Sequence, residues 1–129
     1  MLVSPADVVA RAKATIKECS VTEAHQCLNS ETLLIDIREL PEFQRGHIPG
    51  ALFAPRGLLE FEIHGIVERT VTDPRVAPED RDIVLYCGTG GRSALAAETL
   101  DAMGYRKVKS MAGGIVAWSA AGLPVDTPC

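Results

Sequence analysis

The stretch Asp82–Ser93, DIVLYCGTGGRS, admits few conformations. Ile83, Val84, Leu85 and Tyr86 form a short run of β-branched and aromatic residues, the pattern of a strand buried on both faces. Ser93, Ala96, Ala97, Leu100 and Met103 then recur at helical spacing. A strand that feeds a helix through a short glycine turn predicts an open α/β sheet. Cys87 falls at the carboxyl edge of that sheet, where ligands bind in such folds.

What surrounds the sulfur sets its chemistry. Gly88, Gly90 and Gly91 allow positive φ, so the backbone from Gly88 through Thr89 to Ser93 curls with its N–H groups pointing inward, and the following helix adds the positive end of its dipole. Such a cradle, with Arg92 beside it, favours a thiolate over a thiol. Cys87 is therefore read as a nucleophile, Arg92 as its helper, and Gly88, Thr89, Gly90, Gly91 and Ser93 as the loop that binds substrate. A cysteine that merely filled space at a strand end would have no use for three glycines and an arginine.

Four residues separate Cys87 from Arg92, one fewer than in the C-x5-R loop of cysteine phosphatases, which wraps a whole tetrahedral phosphate. A smaller guest fits a shorter ring, such as one sulfur atom carried on the cysteine as a persulfide. A Walker loop would need a lysine before the serine, and a dinucleotide fingerprint an acidic residue where Ser110, Met111 and Ala112 stand. C-G-T-G-G-R-S instead resembles the active-site loop of the rhodanese family of sulfurtransferases.

Two further segments carry the same resemblance. DIRELPEFQRGHIPGA, residues 36–51, resembles a second rhodanese signature, D-x-R-x-x-x-E-F-x-x-G-H-I-P-G-A. GYRKVKSMAGGIVAW, residues 104–118, resembles the closing segment of the family. The string A-P-R-G-x-L-E-F, residues 54–61, resembles a bacterial single-domain subgroup. The resemblance implies a three-layer α/β domain: a central, mostly parallel sheet of four or five strands with helices on both faces. It also implies thiosulfate sulfurtransferase activity through a Cys87 persulfide, with cyanide or a thiol as acceptor and no cofactor. The alternatives are a phosphatase or arsenate reductase on the same fold, and a sulfur-carrier or binding module that acts on a protein partner.

The rest of the chain is read around that site. At 129 residues it is expected to be a single domain with a core over about 15–124, an N-terminal helix over 4–14 and a short tail over 125–129. Ser4, Pro5 and Asp7 mark the start of the first helix, and Thr22 and Glu23 the start of a second that ends near Asn29 and Ser30. Thr32–Ile37 is a strand. Asp36 and Arg38 at its carboxyl end are assigned to the site's surroundings or to donor binding, and Arg56 to capture of an anionic donor at the cleft mouth. His47 lies in a turn and is read as structural. Residues 62–78, with Gly65, Asp73 and Pro74, read as a long excursion bordering the cleft rather than a core element. Gly113 and Gly114 are placed close to the site, and Trp118 in the core.

Net charge decides what the chain does not attract. At −4, it has no general electrostatic pull on nucleic acid or on anionic membranes, and neither is expected as a partner. The segment MLVSPADVVA lacks the basic and apolar regions of an export signal. Four cysteines without a C-x-x-C pair, and three histidines without ligand spacing, predict free thiols, no metal and a cytoplasmic protein, a monomer or homodimer. Cys19 and Cys27 are assigned to packing and Cys129 to the tail.

Overall fold

The computed structural model describes residues 1–29 and 31–127. Its centre is a five-stranded, wholly parallel sheet in the order β1-β5-β4-β2-β3. The strands are β1 (Lys17–Cys19), β2 (Leu33–Asp36), β3 (Leu52–Phe53), β4 (Asp82–Tyr86) and β5 (Lys107–Met111). The helices are α1 (Pro5–Lys13), α2 (Val21–Cys27), α3 (Leu40–Arg45), α4 (Leu59–Arg69), α5 (Gly91–Ala102) and α6 (Gly114–Ala120). None is long and apolar enough to cross a membrane.

Strand alternation divides the core. Leu33, Ile35, Ile83, Leu85, Cys87 and Val108 point to one face, where they meet Ile63, Ile66 and Val67 of α4 and Ala96, Ala97 and Leu100 of α5. Leu34, Val84, Tyr86 and Met111 point to the other, against Ala24 of α2 and Trp118 of α6. Both faces being covered, β4 reads as a continuous apolar run. The resulting three layers are the architecture that the sequence patterns imply.

Four local readings change. The first half of residues 62–78 is core rather than excursion: α4 runs to Arg69 and buries Leu59, Ile63, Ile66 and Val67, which are spaced as one helical face, and only 70–77 form a loop. Each such burial contributes about 1.5–3 kcal/mol relative to exposure, enough to outweigh Gly65. The second helix begins at Val21, one residue earlier than Thr22 suggested, because Ser20 and Glu23 form a reciprocal cap, with bonds of 3.0 Å in each direction. It ends at Cys27, and Ser30 lies outside the described residues. Cys27 is exposed rather than packed, whereas Cys19 is buried. Finally, residues 125–127 are not a loose tail. Val125 packs on the second core, and His47 and Asp126 exchange backbone hydrogen bonds of 3.0 and 2.8 Å. Cys129 lies outside the described residues.

Candidate active site

Cys87 follows β4 directly, and α5 begins four residues later, so the loop between them is closed within a few bonds of the sulfur. Gly90 is the N-cap of α5 at φ 103°, a left-handed conformation open to glycine, and it has no side chain with which to cap the helix. The sulfur does that work instead. Cys87 Sγ accepts the N–H of Gly90 at 3.1 Å and that of Ser93, the third residue of the helix, at 3.4 Å. Ser93 Oγ lies 3.5 Å from Sγ and 2.8 Å from Ser110 Oγ, and both serines are fully buried.

A second helix terminus closes the loop from outside. Ile115 and Val116 of α6 donate their N–H groups to the carbonyls of Cys87 and Gly88 at 3.0 and 3.1 Å. With those carbonyls held away, the loop's amides face the sulfur. Gly114 makes this approach possible: at φ 59°, its missing Cβ would stand 2.5 Å from the Cys87 oxygen.

Cys87 is only 1% exposed. Burial alone would raise its pKa, but the Ser93 hydroxyl and the N–H groups of Ser93, Gly90 and Thr89 together hold it below the usual thiol range. Cys19 shows the opposite case. Buried with little to hydrogen-bond, its thiol is pushed up to about 11. The alkylation rate of Cys87 against pH should therefore show a midpoint below the roughly 8.5 of a free thiol, the rate falling as pH drops through the folded value and the sulfur gains a proton. Cys19 should stay unlabelled through that range. A Cys87 midpoint at or above the free value would contradict the cradle.

Arg92 lies beside the loop, as expected, but its side chain is held by a carboxylate. Among the described residues, its hydrogen-bond partners are both oxygens of Glu42, at 2.8 and 3.1 Å, rather than the sulfur. Glu42, chiefly, holds the guanidinium above its ordinary pKa, with the nearby Cys87 sulfur a smaller cause. Asp36 and Arg38 are brought to the site's edge but bind each other. Asp36 is fully buried and accepts Arg38 Nη2 at 2.7 Å, while the same nitrogen donates to the Gly46 carbonyl at 2.6 Å. That pair ties the end of β2 to the end of α3.

Arg56 is likewise engaged by its neighbours. Its guanidinium bonds Glu60 at 2.7 Å and Thr99 at 3.0 Å, and Thr99 stands six residues, roughly 9 Å, along α5 from Ser93. Neighbouring side chains thus hold both terminal nitrogens of the guanidinium. Arg56→Ala should therefore change the KM for an anionic donor by less than about two-fold, a partly exposed ion pair being worth little; a ten-fold rise would restore the anion-capture role. His47 is structural: its ring stacks on Phe43 at 3.9 Å between centroids. Glu42 and Ser110 escaped sequence reasoning as site residues. Glu42 stands in the D-x-R-x-x-x-E-F string, but nothing in the string says that it faces Arg92.

A cavity of about 220 Å³, lined by Val67, Val71, Arg81 and Asp82 among others, opens at the amino edge of the sheet, opposite Cys87, and takes no part in this site. Among the described residues, no cluster of three or more His, Cys, Asp and Glu is arranged to hold a metal ion.

The family model described as Rhodanese-like domain matches residues 20–121. A sulfurtransferase of Allochromatium vinosum is 39% identical over 98 residues, covering 76% of this chain and 81% of the relative. Thiosulfate sulfurtransferase 18 of Arabidopsis thaliana is 33% identical over 115 residues, covering 83% and 81%. Among solved structures, a protein of unknown function from Rhodopseudomonas palustris, described as a possible tyrosine phosphatase, superposes with a TM-score of 0.79 at 32% identity, covering 98% of this chain and 96% of that one.

Proposed function

The chain belongs to the rhodanese-like domain family, and on that premise we propose that it is a sulfurtransferase in which Cys87 carries one sulfane sulfur from a donor such as thiosulfate to a thiophilic acceptor. The observation that carries the reading is the sulfur's position as the acceptor of the Gly90 and Ser93 amides at the start of α5. That arrangement stabilises a negative charge on sulfur without a general base.

The reaction runs in two displacements. Cys87 thiolate attacks the outer sulfur of thiosulfate; a new S–S bond forms to Sγ, and the old S–S bond breaks with its electron pair leaving on sulfite. The persulfide left on Cys87 bears one negative charge, which the loop amides meet as they met the thiolate. Cyanide or a thiolate then attacks the outer sulfur, and Cys87 departs as thiolate. Charge balances at each step, and no cofactor is called for. The free thiols of Cys19, Cys27 and Cys87 suit a reducing compartment, and the reading places the chain in the cytoplasm.

The phosphatase reading, which the description of the Rhodopseudomonas palustris structure raises, needs a loop that encloses a tetrahedral phosphate and an arginine free to clamp it. Here the loop has four residues between Cys87 and Arg92, and Arg92 is engaged by Glu42. The two readings part in a single incubation. With thiosulfate and no acceptor, a sulfurtransferase releases about one equivalent of sulfite and stops, as expected of a covalent intermediate. Continuous hydrolysis of an aryl phosphate, without any sulfite burst, would favour the phosphatase.

A further inference from the structure

The two displacements use Cys87 and the loop amides and give the pair formed by Glu42 and Arg92 no part. Arg92 offers a planar fork suited to gripping two oxygens of a tetrahedral oxyanion, and both tines are already taken by the two oxygens of Glu42, at 2.8 and 3.1 Å. Glu42 is not loosely placed. Its Oε1 also accepts the N–H of Glu39 at 3.1 Å, in the cap that starts α3, so the carboxylate is held from its own helix. Arg92 in turn lies along the loop, where a Cβ at Gly88 would stand 3.3 Å from its Nη2. Held by Arg92, the Glu42 carboxyl falls to about 2 and remains charged at any working pH. The net charge of the pair is therefore zero, beside a cradle whose remaining attraction comes from amides and a helix dipole.

We propose that Glu42 is a specificity-determining residue: by occupying and neutralising Arg92 it keeps the loop from gripping tetrahedral oxyanions such as sulfate and phosphate by their oxygens, and leaves it to a single sulfur presented end-on, as the outer sulfur of thiosulfate is, with the donor's three oxygens outside the loop. The inference deepens the sulfurtransferase reading and rests on it for its purpose. Its physical content, competition between a resident carboxylate and an incoming oxyanion for one guanidinium, does not depend on turnover.

Protection of Cys87 from alkylation by inorganic sulfate tests it, at low and constant ionic strength held with chloride. Glu42→Gln keeps the side chain's shape and an oxygen for the α3 cap but removes its charge. It should protect at about five-fold lower sulfate than the wild type, the gain expected when a partly exposed ion pair no longer competes. Arg92→Ala and the double variant should show no gain. A Glu42→Gln chain that needs the same or more sulfate overturns the proposal, and so does a double variant that keeps the gain. A fall in stability cannot imitate tighter binding. If Glu42→Gln gains sulfate affinity in a chain that never forms a persulfide, the competition stands and the sulfurtransferase reading fails alone.

Discussion

Replacing Cys87 with serine should reduce sulfur transfer from thiosulfate to cyanide to the uncatalysed background, while Cys19→Ala, Cys27→Ser and Cys129→Ser retain most of it. The serine hydroxyl keeps the shape of the site and accepts the same amides. It neither ionises near neutral pH nor carries a sulfur as a persulfide, so the first displacement has no nucleophile. Cys19 is buried and its thiol pushed up to about 11, and Cys27 lies exposed at the end of α2, outside the loop. Assay of the four single variants at equal folded concentration makes the comparison. Substantial turnover by Cys87→Ser would end the mechanism.

The second large effect belongs to Gly114, a residue that touches no substrate. Gly114→Ala puts a methyl group 2.5 Å from the Cys87 carbonyl oxygen at a φ of 59°. Left-handed strain and overpacking against backbone together should cost about 2–5 kcal/mol of stability. The backbone that must yield is the one carrying Cys87 and Gly88, so the loop's amides shift with it. A displacement of about 1 Å in a reacting group is worth roughly 100-fold in rate, and the kcat of the folded variant should fall by that order. Gly122 supplies the comparison: its φ is 76°, but a Cβ there meets nothing within 4 Å. Gly122→Ala should therefore lose only the strain, about 1–2 kcal/mol, and keep its activity. Equal losses of activity in the two variants would mean that the α6 contact does not shape the loop.

How far the site was legible in the sequence follows from sequence separation. Cys87, Gly90 and Ser93 lie within six positions of one another, and a strand, a glycine turn and a helix leave the intervening backbone little freedom. The cradle was therefore readable from local pattern. The Glu42–Arg92 pair spans fifty positions and depends on how α3 packs beside α5. Ser110 reaches Ser93 because β5 lies next to β4 in the sheet, an adjacency that strand order decides and local pattern does not. The partners of Arg56 were hidden for the same reason. Its guanidinium is paired with Glu60 and donates a hydrogen bond to Thr99, and Thr99 is forty-three positions away. The misreading of residues 62–69 had a different cause: starting the window at Glu62 cut Leu59 from the face it shares with Ile63, Ile66 and Val67, and Gly65 then looked like a break.

The central claim is that the amide cradle holds a sulfur on Cys87 as a covalent intermediate. A peptide-resolved mass spectrum after brief thiosulfate treatment and removal of excess donor tests it directly. The Cys87 peptide should gain one sulfur, about 32 Da, the peptides of the other cysteines should gain none, and cyanide should remove the added mass. An unmodified Cys87 peptide in an enzyme that turns over, or a gain that cyanide does not reverse, would contradict the account.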